Sequence, residues 1–125
     1  MIGYVTIGTN DLPRAAKFFD ALLGALSASR FMEADSFIAW SKGKDGCGLG
    51  VTRPYDGKPA TVGNGVMVAL EASSREEVDR IYKKARELGA ADEGAPGERM
   101  PGFYAGYFRD LDGNKFNVFH MQMGD

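Results

Sequence analysis

The chain contains one histidine, His120, and one cysteine, Cys47. That scarcity bounds its chemistry. A structural zinc site needs four Cys/His-type ligands, and catalytic sites commonly use two or three histidines. One copy of this chain supplies neither. Cys47 has no histidine near it in sequence and no activating feature, so a buried, inert thiol is expected. Gly46, Gly48 and Gly50 alternate, but they follow a turn and no helix follows them. They fail the dinucleotide-binding pattern, and no cofactor is expected. The residues left for a binding site are polar or aromatic, with one thioether: Tyr4, Thr6, Arg53, Met67, Glu71, Tyr104, Tyr107, Asn117 and Phe119.

Each of these has a plain reading beside a functional one. Asn117 shares a strand face with Lys115 and Phe119, and an amide placed there needs a partner from protein, water or ligand. Glu71 and Lys115 either pair with each other or, if buried and unpaired, have shifted pKa values suited to proton transfer. Arg53 follows a strand directly. It could clamp a carboxylate or phosphate bidentately, or it is a solvated linker residue. Tyr104 and Tyr107 differ in parity, so one faces the site and the other does not; the sequence leaves the choice open. His120 has the opposite parity to Asn117, which points it toward a helix layer or an interface in a structural role. Trp40, Phe37 and Phe103 read as core or interface residues.

The elements that must position these residues come in two copies. Residues 1–52 and 64–121 repeat one pattern, and such repetition dictates architecture. In the first copy Tyr4, Thr6 and Gly8 alternate with Val5 and Ile7, as in a half-buried strand. Asn10 and Asp11 offer helix caps, and Pro13 suits a first turn. Leu12, Ala15, Ala16, Phe19, Leu22, Leu23 and Leu26 form a helical stripe that Gly24 stops. Strands are expected near 28–32, 36–41 and 47–52, the last two joined by a turn at Lys44-Asp45-Gly46. In the second copy residues 65–71 alternate, with Val66, Val68 and Leu70 expected to face a helix. Ser74 and Glu77 fit a capping box. Val78, Ile81, Tyr82, Ala85 and Leu88 form the stripe, and Gly89 stops it. Residues 91–102 are rich in Gly and Pro, with one weak edge strand at most. Residues 103–109 and 114–120 form a hairpin around Asp110-Leu111-Asp112-Gly113. Residues 53–63 are the linker. The expected fold is one α+β domain over 1–125, with Tyr4, Thr6, Met67, Ala69 and Glu71 pointing into a shared concavity, the default place for a ligand.

Composition narrows the partners. Fifteen basic and 17 acidic residues give a net charge of −2. With no basic cluster, general nucleic-acid binding is not expected. No apolar run approaches a membrane span, and the N-terminus lacks a secretory pattern. A single cysteine suits the cytoplasm.

Three stretches carry a resemblance to a known family: Tyr4-Val5-Thr6-Ile7 leading through Asn10-Asp11-Leu12 to Phe18-Phe19; Gly63-Asn64-Gly65; and Phe108-Arg109-Asp110-Leu111-Asp112-Gly113-Asn114. The chain resembles the vicinal oxygen chelate superfamily: glyoxalase I, bleomycin-resistance proteins and extradiol dioxygenases. The resemblance implies two βαβββ modules forming a curved mixed sheet around a cleft, often within a homodimer. Metal-dependent members of that family use a histidine early in each module and a glutamate in the final strand. Those positions fall here at Tyr4, Met67 and Asn117. A phenol with a pKa near ~10, a soft thioether and a neutral amide do not suit a hard divalent ion, so no metal site is expected.

The first expectation for function is therefore a metal-independent small-molecule binder, similar to bleomycin-resistance proteins and acting as a homodimer. The second is an enzyme of the family's kind, metal-free if active, with Glu71, Tyr4 or a tyrosine at 104–107 moving protons. The third is an interaction or regulatory module on the same scaffold.

Overall fold

The computed structural model describes residues 1–44 and 46–122. They fall into two compact units, Met1–Val62 and Gly63–Asp125, each with its own sheet and helix. Module one contains β1 (Tyr4–Gly8), α1 (Leu12–Gly24), β2 (Ser29–Glu33), β3 (Phe37–Ser41) and β4 (Gly48–Thr52). Module two contains β5 (Val68–Glu71), α2 (Arg75–Glu87), β6 (Ala91–Met100), β7 (Phe103–Arg109) and β8 (Lys115–Met121). The sheets run β1-β4-β3-β2 and β5-β8-β7-β6. In both, the first strand pairs in parallel with the last and the other pairings are antiparallel. The repeat read in the sequence is thus a repeat of topology. No helix among the described residues is long and apolar enough to cross a membrane.

Each module buries one face of its sheet under its helix. In module one Phe19, Leu22, Trp40 and Val51 are fully buried, with the Phe19 and Trp40 rings 5.9 Å apart. In module two Val78 and Ile81 of α2 meet Phe108, Phe116 and Val118, and the Phe108 and Phe116 rings stack at 5.6 Å. The hairpin turn is organised by Asp110, which is buried. Its carboxylate accepts hydrogen bonds from the backbone N–H groups of Asp112 (2.9 Å) and Asn114 (2.8 Å) and from Asn114 Nδ2 (2.9 Å). Burial outweighs those bonds and raises its pKa.

The helix ends follow the capping signals with two adjustments. Asp11 caps α1 by accepting from Arg14 N–H, and Ser74 caps α2 by accepting from Glu77 N–H. The Glu77 carboxylate reaches back to Ser73 N–H at 2.9 Å, one residue before the cap. Gly89 (φ 104°) ends α2 with Ala90 N–H donating to Ala85 O and Gly89 N–H to Arg86 O. The same double bond pattern ends the first helix, but not at Gly24. There Ala28 N–H donates to Leu23 O and Ser27 N–H to Gly24 O, and the left-handed residue is Ser27, φ 68°. A non-glycine residue in that region is strained by roughly 1–2 kcal/mol. Ser27→Gly is therefore expected to stabilise the protein by about 0.5–1 kcal/mol after the added chain entropy of glycine is subtracted. The check is a thermal melt, in which a midpoint below that of the parent would refute this account of the cap.

Three sequence expectations need correction. β5 begins at Val68, not residue 65. Gly65 (φ 94°) turns the chain and Val66 N–H bonds to Gly63 O, so Val66 is 62% exposed and does not face the helix. Residues 91–102 hold the ten-residue β6, the longest strand. Its Gly and Pro residues are accommodated by register shifts between Asp92 and Gly94, Gly94 and Gly97, and Glu98 and Met100, as an edge strand allows. Cys47 is exposed, not buried. The turn expected at Lys44-Asp45-Gly46 contains Asp45, which lies outside the described residues.

Candidate functional site

The face of each sheet opposite its helix is where the sequence placed the site. In module one this open face is set by register. Tyr4 pairs with Gly48 and Thr6 with Gly50, while Ala39 flanks Gly50 from the other side. The alternating glycines have a steric reason. A Cβ on Gly50 would lie 2.5 Å from the Phe37 ring, and one on Gly48 would lie 3.1 Å from the Phe31 ring and 3.2 Å from Tyr4 Cβ. Glycine lets two aromatic rings lie against β4. A register shift between Arg30 and Met32 makes Phe31 the extra residue of a bulge, a device that re-aims a side chain. The result is a cavity of about 520 Å³ lined by Tyr4, Phe31, Ser29, Ser41, Lys42 and Lys44, with Gly48 among its lining residues. Tyr4 and Phe31 remain 63% and 53% exposed.

Arg53 belongs elsewhere. It lines a second cavity of about 270 Å³ with Thr9, Asn10 and Lys58. The linker folds back there, Asn10 Nδ2 donating to Ala60 O at 3.2 Å and Ala60 N–H to Asn10 Oδ1 at 2.6 Å. The linker thus packs on the β1–α1 turn, and Tyr4 and Arg53 line separate cavities.

In module two one row of the sheet contains Ala69, Asn117 and Tyr107, and the next contains Glu71, Phe119 and Ala105. Phe103 stacks on Phe119 at 5.6 Å. Met67 lies just before β5 and is exposed. Arg99 and Lys115 both approach the Tyr107 ring, with Arg99 Cζ 5.4 Å and Lys115 Nζ 5.8 Å from its centroid. Glu71 and Lys115 make no ion pair. Glu71 is in register with Phe119, four residues from Lys115 along β8, a separation of about 13 Å at strand rise. Asn117 is 2% exposed, and among the described residues its Oδ1 is the one buried side-chain polar atom without a hydrogen-bond partner.

The structure decides between the two tyrosines. Tyr107 occupies the open face. Tyr104 lies on the helix side, where its hydroxyl donates to Asp79 Oδ1 at 2.6 Å beneath Arg75. That hydrogen bond, with burial, raises the Tyr104 pKa, so at neutral pH it stays a protonated phenol and is unsuited to act as a base. His120 is likewise on the helix side, Nδ1 3.1 Å from Ala72 O. Sequence reasoning missed Phe31, Lys42, Lys44 and Arg99. The glycine alternation was the available signal for Phe31. Arg99 has a similar one, since Cβ atoms on Gly94 and Gly97 would lie 3.3 and 2.7 Å from its guanidinium.

Among the described residues no group of three or more His, Cys, Asp or Glu side chains could hold a metal ion. An exposed phenol at position 4, a thioether at 67 and an amide at 117 present no anionic oxygen or imidazole to a hard cation. This donor set does not fit a divalent metal.

A family model described as Glyoxalase/Bleomycin resistance protein/Dioxygenase superfamily matches residues 1–118. Among solved structures, a glyoxalase/bleomycin resistance protein from Albidiferax ferrireducens T118 is 35% identical with a TM-score of 0.89, covering 98% of this chain and 99% of that one. A putative glyoxalase from Bacillus halodurans is 23% identical with a TM-score of 0.79, over 96% and 95% of the two chains. A lactoylglutathione lyase from Agrobacterium tumefaciens is 19% identical with a TM-score of 0.72, over 96% and 92%. Among curated proteins none matches the chain.

Proposed function

The chain belongs to the glyoxalase/bleomycin resistance protein/dioxygenase superfamily, and from that premise we propose that it is a small-molecule-binding protein that holds its ligand on an open sheet face without a metal centre. The observation that carries this reading is the 520 Å³ cavity of module one. Its volume lies in the range of pockets for drug-sized molecules, and its walls are rings, hydroxyls and ammonium groups. It includes Tyr4, a position where the family's metal-dependent members place a histidine, so the space is walled by groups that contact organic surface. Exposed Met32, Met67 and Met121 are apolar surface that a second copy would cover, and the proposed assembly is a homodimer.

Thermal unfolding across a library of small planar molecules tests the proposal. A ligand present at 100 times its Kd should stabilise the native state by about 2.7 kcal/mol, with the same shift in the presence of EDTA. A shift that requires a divalent ion would overturn the metal-free reading. No shift with any compound would favour an interaction module over a binder. Light scattering on the same sample should give twice the chain mass, and a monomer would refute the assembly.

A further inference from the structure

We infer that the ligand of the module-one cavity is a planar organic anion, a flat ring system bearing a carboxylate or similar group. This rests on the small-molecule-binding reading above and adds the chemical class. Lys42 and Lys44 line the cavity at the β3–β4 turn, and neither makes an ion pair among the described residues. Four arginines do have carboxylate partners: Arg30 with Asp20 and Glu33, Arg75 with Glu98, Arg80 with Glu77 and Arg109 with Glu93. Two ammonium groups that line one pocket, with no carboxylate partner among the described residues, favour an anion there. The same cavity is lined by Phe31, the extra residue of the β2 bulge, and by Tyr4, both of which lie against Gly48. A Cβ at position 48 would press on Phe31, so the glycine lets that ring lie against β4 as a wall of the cavity. Rings of this kind favour a flat partner.

Module two repeats the combination with different residues. Arg99 and Lys115 flank Tyr107 with no ion pair among the described residues. The Arg99 fork lies flat along β6, donating to Ala95 O, where Gly94 and Gly97 leave it room. The acidic neighbours on that strand are engaged elsewhere, Glu93 with Arg109 and Glu98 with Arg75. Two open faces built from unrelated residues thus both set aromatic surface beside a pair of cations, in a chain whose net charge is −2.

The test compares 2-naphthoate with its neutral isostere 2-naphthamide, each followed by its own fluorescence on titration with the full chain. The carboxylate should bind about tenfold more tightly, as two exposed charge contacts allow, and added salt should narrow the gap. Lys42→Met with Lys44→Met should remove the preference, so that the two probes bind with equal affinity, and an unchanged melting midpoint shows that the double variant is folded. Phe31→Ala should weaken both probes alike. Equal binding of the two probes, or a preference that survives the lysine substitutions, would overturn the anion. Failure of both probes while the library yields a different ligand would overturn the class and leave the binding function standing.

Discussion

Asn117→Leu is expected to raise the stability of this protein and to reduce its ligand response. The side chain is buried at the centre of β8 with an acceptor that has no partner among the described residues. A buried polar group left unsatisfied costs about 1–3 kcal/mol, whereas an apolar group of the same outline carries no such cost. Leucine shares the branched shape of asparagine, and its row neighbours, Ala69 and Tyr107, include one small residue that can accommodate the added volume. A gain of about 1–2 kcal/mol should move the melting midpoint upward by several degrees in a chain of this size. The same variant should lose part of the stabilisation given by any ligand that donates a hydrogen bond at this position. A residue that stabilises when removed and weakens binding when removed is held in place by function. The opposite result, a lower midpoint for Asn117→Leu with the ligand response intact, would make the amide a structural group and take module two out of the binding reading.

How much of this was legible beforehand depended on what each residue answers to. β3, β4, α1 and α2 follow from local rules: alternation, a 3.6-residue stripe, and caps at Asp11 and Ser74. β6 was not legible because Pro96, Gly94 and Gly97 read locally as breakers. They are tolerated by bulges on an edge strand, and an edge is a property of the sheet, not of the segment. The first helix's end misled for a related reason. Gly24 is the residue a left-handed cap prefers, yet the chain reverses at Ser27, where Ala28 N–H reaches Leu23 O. Within the site, parity gave the opposition of Tyr104 and Tyr107 but not its sign, which depends on Asp79 of α2 lying within reach of one hydroxyl. The cavity residues Phe31, Lys42 and Lys44 come from a bulged strand and a turn, where periodicity assigns no face. The glycines at 48 and 50 recorded them indirectly, as side chains that had to be absent.

Asp20→Ala is expected to be among the most damaging single changes in module one, although the residue is partly exposed. Asp20 Oδ1 accepts from Trp40 Nε1 at 2.9 Å and from Arg30 Nε at 2.9 Å, and Oδ2 accepts from Arg30 Nη2 at 2.7 Å. Arg30 also bonds Glu33 and lies over the Trp40 ring, its Cζ 5.8 Å from the centroid. The carboxylate therefore ties α1 to β2 and β3 around the largest buried ring of the module. Removing it strands the indole N–H of a residue only 1% exposed, at about 1–3 kcal/mol. The exposed ion pair adds less than about 1 kcal/mol. Asp20→Asn separates the two contributions, because the amide oxygen still accepts from Trp40 and only the charge is lost. The alanine variant should melt several degrees lower and the asparagine variant slightly lower. The pH dependence follows from the hydrogen bond of Arg30, which holds the Asp20 pKa below its ordinary 3.8. Its contribution is complete above that value and is lost as pH falls through the lower, folded-state pKa. Asp110 has the opposite sign: with its pKa raised by burial, it favours the folded state more as pH falls from its folded-state value toward 3.8. The parent should therefore exceed Asp20→Asn in stability by a constant margin above about pH 4, and the margin should close as pH falls further. A difference that persisted unchanged to lower pH would show that the Arg30 pair contributes nothing, and an Asp20→Ala variant as stable as the parent would show that Trp40 needs no acceptor.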